Sequence, residues 1–398
     1  MNFSAKLLAW AAQHLRPMPW KGERDPYKIW LSEIILQQTR VEQGLPYYER
    51  FVAAYPTVTD LAAAPSEAVM RLWQGLGYYS RARNLHSTAQ YIRAAHGGVF
   101  PATYADIREL KGVGDYTAAA IASFAYELPY AVVDGNVYRV LSRIFGIFTP
   151  IDSTQGKKEF AILAQSLLNT SKSADYNQAI IDFGATHCTP THPQCSTCPF
   201  NEDCQAFLIT SQTTDDLIRL LPVKSKKNAL KHRYFHYFYF GKNKQIWLQK
   251  RSHKDIWQDL WQLPLIETRR NFGRFKTFLP TKKQSKTLFD TATKNSRFKK
   301  LTKVFLLKIQ RALSQSNYSS YLKTDFHTFF GRQKPVIKQL KTSEQTLSHQ
   351  KIHCKFYIIE NNIDCTLPET DGFLLVDAES LPNFALPKSI AQFLSSRA

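Results

Sequence analysis

The sequence predicts two domains of different class, an all-α domain followed by an α+β domain. In residues 1–215, apolar residues recur at helical spacing, and Pro or Gly separates the segments. Residues 216–229 have the composition of a linker, with Pro222 and a short basic run. In residues 230–398, short aromatic and β-branched stretches indicate strands. A chain of 398 residues with 44% hydrophobic residues can form the packed cores of two or three domains.

The first element that suggests chemistry is a helix that begins at Asp25-Pro26 and continues to Gln38. On this helix, Glu33 shares an apolar stripe with Ile29 and Leu36. A carboxyl group among apolar neighbours is expected to have a raised pKa, which lets it act as a general acid near neutral pH. A buried glutamate paired with an arginine is the alternative interpretation.

Residues 74–84 combine a glycine-containing loop with two tyrosines and two arginines. Such a loop can separate stacked bases while its cations bind phosphate. It can equally be a connector between two helices with a tyrosine packed beneath it. Both interpretations stay open from the sequence.

Residues 110–114 form a Gly-x-Gly turn, and a helix is predicted to begin at Thr117. Glycines permit a tight turn, and the free N–H groups at a helix start suit a phosphate oxygen. Asp134 stands just before a second predicted helix, over residues 137–145, where it can act as the N-cap and the helix dipole favours its charged form. A plain turn and a plain N-cap are the alternatives. Together, Glu33 and Asp134 fit the cleavage of a glycosidic bond.

Four of the six cysteines lie close together in the sequence, with the spacing Cys188-x6-Cys195-x2-Cys198-x5-Cys204. A structural zinc site usually has two short Cys-x2-Cys pairs, and this stretch has one. Four thiolates in one loop therefore favour a 4Fe–4S cluster, which also indicates a reducing intracellular compartment. The nearby His187 and His192 are predicted to be surface residues, and Cys354 and Cys365 ordinary thiols.

The charge distribution is uneven along the chain. Overall, 52 basic residues face 32 acidic residues, a net charge of +20, which favours a polyanionic partner. Residues 1–229 carry 22 basic and 20 acidic side chains, whereas residues 230–398 carry 30 and 12. A solubilising surface is the alternative explanation. The sequence has no apolar run long enough for a membrane span and no signal-peptide pattern near residue 1.

The second domain is predicted to contain four strands and two helices. The strands are expected over residues 232–240, 246–249, 355–359 and 373–376, and the helices over 303–313 and 389–393. Between Glu267 and Thr342 the sequence is basic and lacks strand-like alternation. This stretch is interpreted as an irregular insertion.

The chain resembles the adenine DNA glycosylase (MutY) family of the helix-hairpin-helix superfamily over nearly its whole length. The resemblance rests on residues 30–39, Gln74 to Asn84, residues 112–117, residues 133–137 and the four cysteines, in this order. It is thinner in the C-terminal part, where it rests on residues 260–264 and Leu347-Ser348-His349. The resemblance implies a helix-hairpin-helix glycosylase region at 1–215 with a 4Fe–4S loop at 188–204. A linker at 216–229 and a Nudix-like 8-oxoguanine recognition domain at 230–398 would follow.

The resemblance also implies an activity, the removal of adenine opposite 8-oxoguanine or guanine in duplex DNA for base excision repair. Glu33 would protonate adenine at N7, and Asp134 would stabilise the cationic sugar with support from Asn136 and Tyr116. Related bifunctional lyases carry a lysine at the position of Tyr116, and a tyrosine cannot form their imine, so a monofunctional enzyme is expected. The chain would act as a monomer, in the cytoplasm near the nucleoid if the source is bacterial.

The remaining residues implied by the resemblance lie around the extruded base and its partner. Those matched to DNA or base contacts are Arg16, Trp20, Gln38, Thr39, Leu76, Tyr78, Gly112, Gly114, Gln178, Ser348 and His349. Three positions depart from the family pattern. Lys111 replaces a hairpin proline and is expected to loosen the turn, Lys21 replaces a common arginine, and Leu347 replaces a phenylalanine.

Two other functions remain open at this stage. One is a glycosylase of the same fold that acts on another mismatch, such as T·G. The other is an iron–sulfur protein that binds DNA without catalysis.

Overall fold

The computed structural model describes residues 2–14, 16–212, 216–225, 229–242, 244–268, 336–347, 349–360 and 372–397. The chain forms two compact units, Met1–Lys227 and Asn228–Ala398, and each is described by itself. Among the described residues, no helix is long and apolar enough to cross a bilayer.

The first unit is helical, as its sequence pattern predicts. Its helices are α1 (Phe3–Gln13), α2 (Pro26–Leu36), α3 (Val41–Ala54), α4 (Val58–Ala63), α5 (Ser66–Leu72), α6 (Ser80–His96), α7 (Tyr104–Glu109), α8 (Asp115–Tyr126), α9 (Gly135–Phe145), α10 (Thr154–Leu167), α11 (Ser173–Asp182), α12 (Gln205–Gln212) and α13 (Leu217–Leu220). A π-helical turn, Phe183–His187, continues α11.

The helices that carry the predicted site residues begin at recognisable caps. Asp25 caps α2 by accepting a hydrogen bond from the Tyr27 amide, and Pro26 occupies the first turn. The helix ends at Leu36, two residues before the predicted end. Conversely, α8 and α9 each begin two residues earlier than predicted, because the residues that follow Gly114 and Asp134 already have helical geometry. α2 and α11 both pack against α8.

The second unit contains strands and a C-terminal helix. The strands are β1 (Lys231–Tyr239), β2 (Gly241–Lys242), β3 (Gln245–Lys250), β4 (Trp261–Gln262), β5 (Leu265–Thr268), β6 (Val336–Thr346), β7 (Gln350–Glu360) and β8 (Phe373–Asp377), and the helix is α14 (Lys388–Ser395). One sheet has the order β5-β1-β7-β6, in which only β1 and β7 are parallel. In the other, β3 pairs with β2, β4 and β8. The four predicted strands and the helix over 389–393 are confirmed.

The prediction that residues 267–342 lack strands is wrong at both ends. β5 includes residues 267 and 268, and β6 begins at Val336. β6 lies at the edge of its sheet, where hydrogen bonds to β7 hold a largely polar strand without an alternating apolar face. The rest of the predicted insertion and its helix over 303–313 lie outside the described residues.

Candidate active site

Three helices bring Glu33, Tyr116 and Asp134 together. Glu33 lies on α2, Tyr116 lies in the first turn of α8, and Asp134 caps α9. The Tyr116 hydroxyl donates a hydrogen bond to the Glu33 carboxyl group. The charge of Asp134 acts on both of these side chains, so the two predicted carboxylates share one site.

Glu33 has the properties of a proton donor. Its pKa is raised to about 7: burial is the largest cause, the hydrogen bond from Tyr116 opposes the shift, and the charge of the nearby Asp134 adds to it. The predicted rise in pKa is therefore confirmed. The alternative, an arginine partner, is not among the contacts of Glu33 with the described residues. A carboxyl group with this pKa is protonated in a large fraction of molecules at neutral pH.

Asp134 is held by hydrogen bonds at the start of α9. One carboxyl oxygen accepts from the backbone N–H groups of Asn136 and Val137, each at 2.8 Å. The other oxygen accepts from the Asn136 amide at 2.9 Å. Burial raises the pKa of Asp134 and outweighs these bonds and the charge of Arg139, which lower it. The predicted cap is confirmed, and its hydrogen bonds favour the charged form as expected, but burial, which the sequence-based prediction did not consider, makes the net shift of the pKa upward.

Arg139 connects this carboxyl site to the cysteine-containing loop. Its guanidinium donates to the Asn136 side chain at 2.9 Å, to the Gly184 carbonyl at 2.6 Å and to the Cys188 carbonyl at 2.7 Å. Gly184 lies so close to Asn136 that an added Cβ would come within 2.6 Å of the Asn136 Cβ. Sequence reasoning missed Arg139, although a charged residue one turn after Asn136 on a largely buried helix was a usable signal.

α11 carries Gln178, which was matched to the base pocket, and its last residue, Asp182, contacts two other residues assigned near that pocket, Arg16 and Lys21. The Asn177 side chain accepts from the Val132 amide at 3.1 Å, which fixes the segment before Asp134, and Gln178 follows it on the same helix. At the end of α11, Asp182 pairs with Lys21 and lies 3.7 Å from the Arg16 guanidinium. Lys21 therefore has a clear structural partner, and Asp182 is a buried residue that sequence reasoning did not find.

Gln38 and Thr39, two of the residues matched to DNA or base contacts, follow the C-terminal end of α2. Gln38 is exposed and has a left-handed backbone conformation, φ +55°. The Thr39 hydroxyl accepts a hydrogen bond from Arg81 at 3.2 Å. Trp20 is partly buried and makes an edge-to-face contact with Tyr48, at 5.4 Å between ring centroids.

The loop at 74–84 has features of both predicted roles, a loop that separates stacked bases and a connector between two helices. Tyr79 is buried, as expected for a connector, and Leu76 is buried too, whereas Tyr78 is 45% exposed and has a positive φ of +47°. Arg81 is buried and donates to the backbone carbonyls at the end of α2, at 2.6 to 2.8 Å. The prediction that this cation meets phosphate is therefore wrong for Arg81, because helix carbonyls already use its guanidinium.

The hairpin turn at 110–114 is well anchored. Gly112 has φ +86° and packs so closely on Asn84 that a Cβ would lie 3.0 Å from that side chain. The Thr88 hydroxyl donates to the Lys111 carbonyl at 2.9 Å, so the expected loosening by Lys111 is compensated from α6. Gly114 caps α8 without any side-chain hydrogen bond to the helix start.

A cavity of about 250 Å³ lies beside this hairpin. Its lining comes from α2, the loop at 74–84, the start of α6 and the hairpin, and includes Trp30, Gln37, Gln38, Tyr78, Asn84, Lys111 and Gly112. Gln37 also donates to Thr117, the neighbour of Tyr116, at 3.3 Å. This hydrogen bond connects the lining of the cavity to α8, the helix that carries Tyr116.

The four clustered cysteines line one pocket together with Arg143. None of the four forms a disulfide bond. The Arg143 guanidinium donates to the Cys188 sulfur at 3.5 Å, and the Phe200 amide donates to the Cys198 sulfur at 3.4 Å. Among the described residues, no group is arranged to hold a single metal ion.

The four thiols that line this pocket are the donor set that a 4Fe–4S cluster requires. Hydrogen bonds to the sulfurs, such as those from Arg143 and the Phe200 amide, tune such a cluster. The prediction that His187 is a surface residue is wrong, because the π-helical turn buries it against Trp10 and Phe183, while His192 is exposed.

In the second unit, Leu347 follows β6 and His349 precedes β7. The Leu347 amide donates to the Gln350 carbonyl at 2.8 Å, and His349 is exposed. The His349 carbonyl accepts from the Lys231 amide at 3.1 Å, which fixes His349 beside the start of β1. Ser348 and Cys365 lie outside the described residues, and Cys354 is buried.

Comparison with known proteins identifies the family. Residues 31–165 match the HhH-GPD superfamily of base excision DNA repair proteins. The chain is 35% identical over 249 residues to an adenine DNA glycosylase of Buchnera aphidicola (subsp. Baizongia pistaciae), an alignment covering 63% of this chain and 69% of that protein. The chain belongs to the adenine DNA glycosylase family.

Other members of the family and one solved structure are also similar. The human adenine DNA glycosylase is 42% identical over 213 residues, which cover 51% of this chain and 39% of the human protein. A thermostable thymine-DNA glycosylase structure aligns with 52% of this chain and 95% of its own at 30% identity and a TM-score of 0.49. This member of the adenine DNA glycosylase family is a DNA N-glycosylase that acts on adenine in base excision repair.

Proposed function

We propose that this adenine DNA glycosylase excises adenine paired with 8-oxoguanine, or with guanine, by a monofunctional hydrolytic route. One observation carries the proposal: Glu33, with a pKa of about 7, lies beside Asp134 and is hydrogen-bonded to Tyr116. A proton donor and a second carboxyl group at one site are what cleavage of a glycosidic bond needs.

In the proposed reaction, Glu33 donates its proton to adenine at N7. The bond between the sugar C1′ and adenine N9 then breaks, and its electron pair leaves with the base. The sugar becomes an oxocarbenium-like cation, which lowers the pKa of Asp134, since an opposite charge favours the ionised form. Ionised Asp134 stabilises the cation until water adds to C1′, and the proton that this water loses returns to the Glu33 carboxylate.

Asn136 and Tyr116 support these two groups rather than reacting. The Asn136 amide donates to Asp134, and its own carbonyl is held by Arg139. The Tyr116 hydroxyl orients the Glu33 carboxyl group. Because a phenol forms no imine with the opened sugar, Tyr116 leaves the enzyme without the lyase step of its lysine-containing relatives.

Recognition of the opposite base is assigned to the second unit. Its exposed His349 and the adjoining Ser348 match, by sequence, the positions at which the family contacts 8-oxoguanine. The positive charge of residues 230–398, with 30 basic and 12 acidic side chains, favours DNA binding by this unit.

We also infer that Cys188, Cys195, Cys198 and Cys204 hold a 4Fe–4S cluster. When bound, the cluster supplies four iron–thiolate bonds that fix the loop, and the loop in turn holds Arg139 through the Cys188 carbonyl. The iron-loaded protein should absorb broadly near about 400 nm, as 4Fe–4S clusters do. Stoichiometric zinc without that absorbance would overturn this assignment.

A single-turnover excision assay with four duplexes tests the function. We expect fast release of adenine opposite 8-oxoguanine, slower release opposite guanine, and no release of thymine from T·G or of adenine from A·T. Faster release of thymine than of adenine would favour the other-mismatch alternative. Tight binding with no abasic product from any duplex would favour the non-catalytic alternative.

The role of the second unit is tested by His349→Ala. This variant should lower the preference for 8-oxoguanine over guanine while the slower A·G reaction keeps its rate. His192→Ala, another exposed histidine, is the matched control and should change neither rate. Equal losses on both substrates in His349→Ala would contradict the assignment.

A further inference from the structure

Three side chains of the second unit form a chain of hydrogen bonds across neighbouring strands. His353 on β7 lies between Glu344 on β6 and His232 on β1. The His353 Nδ1 is 2.8 Å from a Glu344 carboxyl oxygen, and the His353 Nε2 is 2.9 Å from the His232 Nδ1. The two imidazole planes are 18° from parallel. We call these three residues the histidine chain.

The carboxylate at one end fixes which imidazole nitrogens carry hydrogen. The hydrogen bond from Lys351 is the largest cause of a lowered pKa of Glu344, so this group is ionised at neutral pH and can only accept. His353 therefore donates from Nδ1, and in a neutral imidazole its Nε2 accepts. His232 then donates from Nδ1, which leaves the lone pair on its Nε2.

This lone pair belongs to an exposed ring. The His232 side chain is exposed, and among the described residues no group hydrogen-bonds to its Nε2. Tyr234 stacks on His353, at 4.7 Å between ring centroids and 14° between the planes. The stacked tyrosine and the two hydrogen bonds hold the histidine chain in one arrangement. The surface therefore carries a hydrogen-bond acceptor whose orientation is fixed in advance.

The histidine chain lies beside His349, the residue proposed to contact the opposite base. The Lys231 amide, directly before His232, donates to the His349 carbonyl. Lys231 pairs with Gln350, and side chains alternate along each strand, so His349 and His232 are expected on the same face of the sheet. Diagonal positions on neighbouring strands are about 7 to 8 Å apart, within reach of long side chains.

We propose that the Nε2 of His232 accepts a hydrogen bond from the N7–H group of 8-oxoguanine. The two bases that can lie opposite the adenosine differ at this atom, because 8-oxoguanine carries a hydrogen on N7, whereas the N7 of guanine is itself an acceptor. An acceptor on the protein binds the first base and faces a lone pair on the second. His353 and Glu344 are positioning residues. The contact rests on the proposed function, which supplies 8-oxoguanine as the ligand, and adds a residue that distinguishes it from guanine.

The contact should change selectivity and leave the general affinity for DNA unchanged. One hydrogen bond of this kind should strengthen binding about tenfold for the base that can form it. A contact with the phosphate backbone would instead affect every duplex alike. A loss of folding would also weaken binding to all duplexes.

The test measures equilibrium binding of the full-length protein to duplexes that contain no adenine at the site of excision. Each duplex has a tetrahydrofuran abasic analogue opposite 8-oxoguanine, guanine or 8-methoxyguanine. The last base keeps an oxygen on C8, but its N7 has a lone pair and no hydrogen. The wild type should bind the 8-oxoguanine duplex most tightly.

His232→Phe keeps a flat ring and removes the acceptor. This variant should bind the 8-oxoguanine duplex about tenfold more weakly than the wild type and the other two duplexes equally well. His253→Phe, at another exposed histidine of the same unit, is the control and should match the wild type on all three. If His232→Phe loses the same factor on every duplex, or keeps the preference for 8-oxoguanine over 8-methoxyguanine, the proposal is overturned.

A second variant tests the positioning by Glu344, whose side chain is 55% exposed. In Glu344→Gln, the amide can either accept from the His353 Nδ1 or donate to it, so it no longer fixes the tautomer. The preference for 8-oxoguanine should fall, by less than in His232→Phe. The double variant should lose no more than His232→Phe alone, because both changes act on one contact. Additive losses would contradict the histidine chain.

The outcomes also separate this contact from the proposed function. A wild type that binds all three duplexes equally would disprove recognition of 8-oxoguanine, and the His232 contact with it. A wild type that prefers 8-oxoguanine, together with a His232→Phe variant that prefers it equally, would disprove only the contact. Because none of the duplexes undergoes excision, neither result depends on the catalytic roles of the carboxyl groups.

Discussion

Each of the two units contains a buried ionisable side chain, but the two side chains have different partners. In the helical unit, Glu33 has a tyrosine hydroxyl and a second carboxyl group near it. In the sheet-containing unit, Arg233 on β1 is 7% exposed and lies between Asp255 and Glu267, with donor–acceptor distances of 2.6 to 2.8 Å. Burial lowers the pKa of Arg233, but these two carboxylates outweigh it and raise the pKa overall.

Because of this difference in partners, Glu33 can change its charge near neutral pH, whereas Arg233 keeps its charge. A buried carboxyl group without an opposite charge has a pKa near neutrality, where it can transfer a proton. A buried guanidinium with two carboxylates stays charged and contributes fixed geometry. The four predictions below test this contrast, in order of decreasing effect.

Glu33→Gln should abolish most of the excision activity. The amide keeps the size of the side chain but has no acidic proton, and loss of a general acid lowers the rate by a factor of about 100 to 10,000. Single-turnover adenine release measures the effect, with binding to the undamaged duplex as the control. Adenine release at the wild-type rate would rule out Glu33 as the proton donor.

Arg233→Met should affect stability instead of chemistry. Removing one partner of a buried ion pair costs about 3 to 5 kcal/mol, because Asp255 and Glu267 lose their counter-ion. Urea denaturation should show this loss, while the protein that remains folded keeps its A·G excision rate. Arg219→Ala removes an arginine whose side chain is 81% exposed, and it should change the free energy of unfolding by less than about 1 kcal/mol.

The stability of the helical unit should depend on pH through Glu33. Burial raises its pKa from 4.5 to about 7, so the folded state binds this proton more tightly than the unfolded state. The resulting stability is fully present below pH 4.5 and is lost as pH rises through 7. Glu33→Gln cannot ionise, and at pH 8.5 it should exceed the wild type in unfolding free energy by about 3 kcal/mol more than it does at pH 4.5. The same difference at both pH values would contradict the raised pKa.

Gly184→Ala should lower the excision rate by a factor of about 10, which corresponds to about 1.4 kcal/mol. The added Cβ would lie 2.6 Å from the Asn136 Cβ and must displace this residue, which supports Asp134. Affinity for the undamaged duplex should stay the same, since neither residue is placed at the DNA backbone. A wild-type rate would show that Asn136 tolerates displacement.

The sequence predicted those features that local pattern and residue type determine. Asp25-Pro26 marks the start of α2, the apolar stripe around Glu33 predicts its raised pKa, and Asp134 has the position of a cap. The helical class of the first unit and four strands of the second also follow from spacing. In each case, the residues that allowed the prediction lie within one or two turns of the chain.

Features that depend on distant contacts could not be predicted in the same way. Arg81 donates to carbonyls more than 40 residues away, and Arg139 reaches Cys188 across 49 residues. β6 is a polar edge strand whose stability comes from its partner. The net rise in the pKa of Asp134 likewise depends on burial by elements that no local pattern reveals.

Helix α11 has one further consequence. Asn177 holds the segment that leads into Asp134, the next residue is Gln178, and Asp182 ends the same helix as the partner of Lys21. A shift of this helix would move Gln178, which the family resemblance matches to the base pocket, and the segment before Asp134 together. A change of target base should therefore arise through exchange of individual side chains on α11 while the helix keeps its position. A shift of the whole helix would lower the rate of catalysis.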